Sequence, residues 1–143
     1  MARTHPGMLS ISLPADDLDR DVAFWETVLG TPRAAVLSWG ENSGSAFFEL
    51  AGGVRLIVTA PSPREGRAEW LGLEFETGDP QSTHARLAAL GVAVSEVYDT
   101  DGGSRAIVVT TPSGQKFRMG TRWPLPAIDA DFSRTTPKER GLS

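Results

Sequence analysis

The 143-residue chain predicts an α+β fold: two βαβββ modules forming a curved mixed sheet around a cup. Three observations carry this expectation. Short segments alternate apolar with small or polar residues, as a strand with one covered face does. Two of these segments run directly into stretches with helical period. The whole pattern is written twice, and a repeat dictates architecture.

The opening segment "LSISLP" sets Leu9, Ile11 and Leu13 on one face and Ser10 and Ser12 on the other. Its counterpart "LGLEFE" sets Leu71, Leu73 and Phe75 against Gly72, Glu74 and Glu76. Asp17 and Asp79 follow at matching positions and suit helix N-caps, with Pro80 at the first helical position, where its missing N–H costs nothing. The first helix carries an apolar stripe of Leu18, Val22, Trp25 and Leu29; the second carries Leu87 and Leu90. Gly30 and Gly91 are the expected C-terminal stops.

Beyond the helices the repeat continues. "WGENSG" overlays "TDGGSR", both rich in turn residues, "SAFFEL" overlays "RAIVVT", and "ELAGGVRLIVT" overlays "TTPSGQKFRMG". Module one thus spans about residues 8–61 and module two about 69–120, joined by the polar "PSPREGRAE" and followed by a tail over 121–143. The whole of 1–143 reads as a single domain. In each module the helix buries one sheet face, so the other must line a cavity or meet a partner. Strand parity assigns Ser10, Ser12, Arg55, Ile57, Thr59, Gly72, Glu74, Glu76, Lys116 and Arg118 to that second face.

Composition narrows the function. Hydrophobic residues make up 40% and charged residues 22%, and the net charge is −4. An acidic chain offers no basic stripe for nucleic acid. No apolar run has the length of a membrane span, and "MARTHPGMLS" lacks the apolar core of a secretion signal, so a cytoplasmic location is expected. Without cysteine there is no disulfide, thiolate ligand or thiol nucleophile. The two histidines, His5 and His84, fall on an N-terminal arm and on the second helix, where a surface role is expected. Trp39, Trp70 and Trp123 are candidates for stacking on a flat ligand, whereas Trp25 reads as core.

"PADDLDRDVAFWETVLG", "AGGVRLIV" and "TPSGQKFRM", in this order and twice over, resemble the vicinal oxygen chelate superfamily, which includes glyoxalase I, extradiol dioxygenases and bleomycin-resistance proteins. The resemblance implies a cup that in many members holds a divalent metal, with one ligand from the first and last strand of each module. Carried onto this chain, those positions are Ser10, Ile57, Gly72 and Arg118. None is a usual ligand for such an ion, and Arg118 would place a fixed positive charge there. The expectation is therefore no metal and no cofactor.

The expected function is metal-independent binding of a small organic molecule, sequestering an aromatic natural product or drug. The candidate binding residues are Ser10, Ser12, Trp39, Arg55, Ile57, Gly72, Glu74, Lys116 and Arg118. The alternative is a metal-independent isomerase, cyclase or other lyase-type enzyme in the same cup, with Glu74 as general base and Arg118 as electrostatic stabiliser. Family precedent implies a homodimer, and no nucleic-acid or membrane partner is expected.

Overall fold

The computed structural model describes residues 9–100 and 103–122. His5, Gly102 and the tail from residue 123 onward, with Trp123, lie outside the described residues. Module one consists of β1 (Leu9–Pro14), α1 (Leu18–Leu29), β2 (Ala35–Gly40), β3 (Ser43–Leu50) and β4 (Val54–Ala60). Module two consists of β5 (Trp70–Glu76), α2 (Pro80–Ala89), β6 (Ala93–Val94), β7 (Tyr98–Asp99), β8 (Arg105–Thr110) and β9 (Lys116–Gly120). The α+β class and the duplication both hold.

Local chemistry explains the boundaries. The Asp17 carboxylate accepts from the Arg20 N–H at 3.0 Å and opens α1, and Gly30 closes it in the left-handed conformation, φ 66°. Asp79 opens α2, accepting from the Gln81 N–H at 3.1 Å and the Ser82 hydroxyl at 2.6 Å. The Ser82 hydrogen bond holds the Asp79 carboxyl below its usual range. This helix ends at Ala89, so Leu90 leaves the expected stripe and stands 59% exposed, while Leu87 is fully buried. Module two differs from module one where β6 and β7 stand in for one continuous strand. The Ser95 hydroxyl causes the break: it accepts the Val108 N–H at 2.8 Å, a place that a ladder carbonyl would fill.

The first sheet has the order β1-β4-β3-β2 and the second β5-β9-β8-β6, with β7 also on β8. β1 runs parallel to β4, and β5 parallel to β9. Among the described residues no ladder joins the two sheets, so the curved surface expected around the cup is supplied in two parts. No helix among them is long and apolar enough to cross a membrane.

One continuous core lies between the sheets. Leu56, Val58 and Phe48 enter it from the first sheet, and Ile107, Val109 and Phe117 from the second. Helix α1 serves both. Its Trp25 ring stacks on Phe117 with centroids 5.0 Å apart and lies 6.2 Å from Phe75, and Phe24 meets Phe117 edge-on at 6.3 Å. Leu13 follows the expected parity into this core, but Leu9, at the strand's outer end, remains exposed.

A polar chain fastens the same junction. Asp16 accepts from Arg67 at 2.9 Å and from Arg64 at 2.6 Å, both in the inter-module linker. The Asp16 N–H donates to the Ser113 hydroxyl of module two at 2.9 Å, and that hydroxyl donates to Asp21 at 2.8 Å. Asp21 is only 1% exposed and also accepts from Arg20 at 3.2 Å. The hydrogen bond from Arg67 holds Asp16 below its ordinary 3.8, whereas burial pushes Asp21 above it. The two carboxylates therefore act with opposite sign. Asp16 stabilises the fold above its unfolded pKa, and that contribution is lost as pH falls through its lower folded value. Asp21 favours the fold as it takes up a proton, so acidification through its raised value relieves a penalty. In urea melts taken at falling pH, Asp16→Asn should flatten the acid loss of stability and Asp21→Asn should steepen it.

Candidate functional site

Both sheets turn one face to the core, which leaves two open faces. On the first, Ser10 of β1 stands beside Arg55 of β4, and Ser12 beside Ile57. The two serines are exposed and Arg55 and Ile57 half-buried. Arg55 is held by Glu49 of β3, its Nε 2.8 Å from the carboxylate, and the Thr59 and Ser45 hydroxyls pair at 2.8 Å. The edge strand β2 is exposed along its whole length, with Leu37 at 60% and Trp39 at 58%.

On the second face, Gly72, Glu74 and Glu76 of β5 are exposed, beside half-buried Lys116 and Arg118 of β9. Glu74 stands opposite Arg118 in register, with carboxylate and Nε 4.0 Å apart. Glu76 faces Gly120 and has no cation across from it. Lys116 bonds Glu69 at 3.1 Å, and its ammonium lies 5.7 Å from the centre of the Trp70 ring, within cation–π range. Between β5 and β9 the face thus carries one cross-strand ion pair, Glu74 with Arg118, because Lys116 finds its partner just outside β5. A cavity of about 320 Å³ opens here, lined by Trp70, Leu71, Gly72, Leu73, Glu74 and Arg118. A Cβ added at Gly72 would meet nothing within 4 Å, so this glycine leaves room on the face.

The Glu74 and Arg118 side chains are 43% and 41% exposed, so solvent screens the pair. Glu74→Gln and Arg118→Met should each lower stability by less than about 1 kcal/mol, and the double variant by close to their sum. Denaturant melts of the three proteins check this; a single loss of several kcal/mol would mark a buried pair instead.

The expected binding residues thus fall into two groups. Ser10, Ser12, Arg55 and Ile57 share the first sheet with Trp39 on its β2 edge; Gly72, Glu74, Lys116 and Arg118 share the second sheet. The cavity at Trp70 is lined from the second face alone. Sequence reasoning passed over Val36 and Leu37, although "AVLSW" places apolar residues consecutively, a pattern that offers apolar surface on both sides of a strand. His84 lies on α2, away from both faces; it is half-buried rather than on the surface, with Nδ1 2.8 Å from the Ser95 carbonyl oxygen.

A family model described as Glyoxalase/Bleomycin resistance protein/Dioxygenase superfamily matches residues 7–119. The chain belongs to this superfamily. A search of curated proteins finds no sequence match. Solved structures agree on the fold. A superfamily member from Sphaerobacter thermophilus superposes with a TM-score of 0.69 at 18% identity, covering 84% of this chain and all of its own. TnmS3, an antibiotic binding protein from Streptomyces sp. CB03234, gives 0.65 at 24% identity, covering 87% and 99%. Lactoylglutathione lyase from Agrobacterium tumefaciens gives 0.58 at 23% identity, covering 80% and 92%.

The four positions that the family resemblance marks for metal ligands carry a poor donor set for a metal. Ile57 and Gly72 have no side-chain donor, Arg118 brings a permanent positive charge, and a lone Ser10 hydroxyl is a weak ligand. Among the described residues there is also no cluster of three histidine or carboxylate side chains elsewhere to replace them.

Proposed function

We propose that this superfamily member binds a planar, mostly apolar molecule carrying an anionic or phenolic oxygen, without a metal, in a cup completed by a second copy of the chain. The observation that carries this reading is the groove on the second open face. It offers an indole face at Trp70, free space above Gly72, and the Arg118 guanidinium beside them. An apolar pocket with a few placed donors is how small-molecule sites orient their ligands. The exposed apolar edge on β2 supports the second copy, as does a Trp70 groove lined from module two alone. TnmS3, similar in fold, supports a binding role.

A titration of a polycyclic phenol panel, followed by tryptophan fluorescence, tests the binding. Quenching is expected below millimolar concentration. Arg118→Met should weaken an anionic member by roughly 1.5–3 kcal/mol, the scale of a hydrogen bond to a charged group, and leave a neutral analogue of the same shape nearly unchanged. Equal weakening of both would overturn the assignment of Arg118. The paired copy is tested by sedimentation: wild type should run as a dimer, and Leu37→Asp with Trp39→Asp should shift it to monomer.

A second reading keeps the same groove and makes it catalytic. It is supported by Glu74, whose carboxylate lies 4.0 Å from Arg118 at the groove wall, as a base beside a charge stabiliser would. The two readings separate on one measurement, which is whether mass spectrometry recovers a bound compound unchanged or as an isomer.

A further inference from the structure

Helix α1 presents Arg20, Ala23, Phe24 and Thr27 along one stripe, at the three- and four-residue spacing of a single helix face. This stripe forms one wall of a cavity of about 390 Å³. The opposite wall is module two: the Leu90–Ala93 stretch leading from α2 into β6 and the Thr110–Pro112 stretch at the end of β8. The cavity therefore lies at the module junction. It shares no residue with the groove at Trp70 and Arg118.

Besides Arg20, the cavity's polar side chains are Thr27, Thr110 and Thr111, and the Thr111 hydroxyl accepts from the Gln115 N–H at 3.1 Å. The Gly91 N–H is taken by Ala88, that of Val92 by Leu87, and that of Thr111 by Gln115; Pro112 has none. The Thr27 hydroxyl donates to the Ala23 carbonyl at 2.9 Å. Arg20 is the one ionised side chain on the wall. Its Nε and Nη2 hold Asp21 at 3.3 and 3.2 Å and Nη2 also donates to the Ser113 hydroxyl at 3.3 Å, while Nη1 makes no hydrogen bond among the described residues. The rest of the lining includes Ala23, Phe24, Val92 and Leu90, whose side chain is exposed at this cleft rather than packed in the core.

We propose that this cleft is a second binding site, for a small amphiphile with one anionic end and an apolar body. The guanidinium selects the charge and the apolar walls select the body; a dianion would leave its second charge unpaired against those walls. The occupant packs on Phe24, which also meets Trp25 at 5.2 Å and Phe117 at 6.3 Å. Its binding therefore tightens the aromatic contact that joins the modules.

Octanoate and 1-octanol are the probes, titrated into the full chain by calorimetry with thermal unfolding in parallel. Octanoate should bind and raise the melting temperature, with the alcohol weaker by roughly fivefold or more, the share of a charge-assisted hydrogen bond. Ala23→Met, an exposed site whose longer side chain enters the cleft, should weaken octanoate roughly tenfold. Arg20→Gln should erase the preference for octanoate over the alcohol, and Arg20→Lys should retain it. Arg118→Met should leave octanoate binding unchanged. The proposal is overturned if octanoate does not bind below about 5 mM, if Ala23→Met binds it as wild type does, or if Arg118→Met abolishes binding, which would place the probe on the open sheet face.

Discussion

Phe117→Ala is expected to lower stability by about 3–5 kcal/mol, the largest single effect we anticipate in this protein. The ring is fully buried on β9 and touches three others, Trp25 at 5.0 Å, Phe75 at 5.6 Å and Phe24 at 6.3 Å. Two of these partners belong to α1 of the other module, so truncation opens a cavity where the modules meet and has little local slack to refill it. Aromatic pairs add about 0.5–1.5 kcal/mol beyond their buried area, so Trp25→Ala and Phe117→Ala should couple by that amount in a double-mutant cycle. Phe117 also lies between Lys116 and Arg118, whose side chains point to the opposite, open face. The same variant should therefore loosen the phenol site. Guanidinium unfolding followed by circular dichroism checks the first effect, and a loss below about 1 kcal/mol would show that the rings do not fasten the modules.

Gly44→Ala should cost roughly 1–3 kcal/mol through the backbone rather than the core. Gly44 sits on β3 at φ 149°, and a Cβ there would lie 2.3 Å from the Leu37 carbonyl oxygen and 3.0 Å from the Ser38 Cα. Both are backbone atoms, which no rotamer can move aside, so β2 itself must shift. Ser38 pairs with Gly44 in register, and Trp39 follows on the same strand. The substitution should therefore weaken the proposed copy-to-copy contact as well as the fold. Gly52→Ala is the control: its φ of 78° is also unfavourable for a side chain, but its Cβ would meet nothing within 4 Å. It should cost only the backbone term, about 1–2 kcal/mol, and leave sedimentation unchanged. Thermal unfolding and sedimentation of the two variants give the comparison.

The features legible in the sequence are those with local causes. Asp17 and Asp79 cap their helices because the bonds they make span two or three residues. The alternation in β1 and β5 set their open and covered faces. What stayed hidden depends on contacts between distant segments. Trp25 read as a core residue of its own module, yet its stacking partner is in the other, since periodicity tells which side of a helix is covered and not by what. Lys116 shares the open face with Glu74 by parity, but Glu69 reaches it first. Leu90 fits the helical stripe on paper; α2 stops one residue short of it. The break between β6 and β7 comes from one serine hydroxyl taking a backbone role, which no alternation pattern records.

The two open faces, one on each module, have a genetic consequence under the two-copy reading. Each cup then draws its Ser10 and Ser12 from one chain and its Gly72 and Arg118 from the other. A lesion in the first sheet and a lesion in the second, carried by different alleles, meet unevenly in a mixed dimer. One cup inherits both lesions and the other inherits neither. Two inactive alleles expressed together would thus restore about a quarter of all cups if copies pair at random, through the symmetry of a two-fold dimer alone. Were each cup built within one chain, the same cross would restore none.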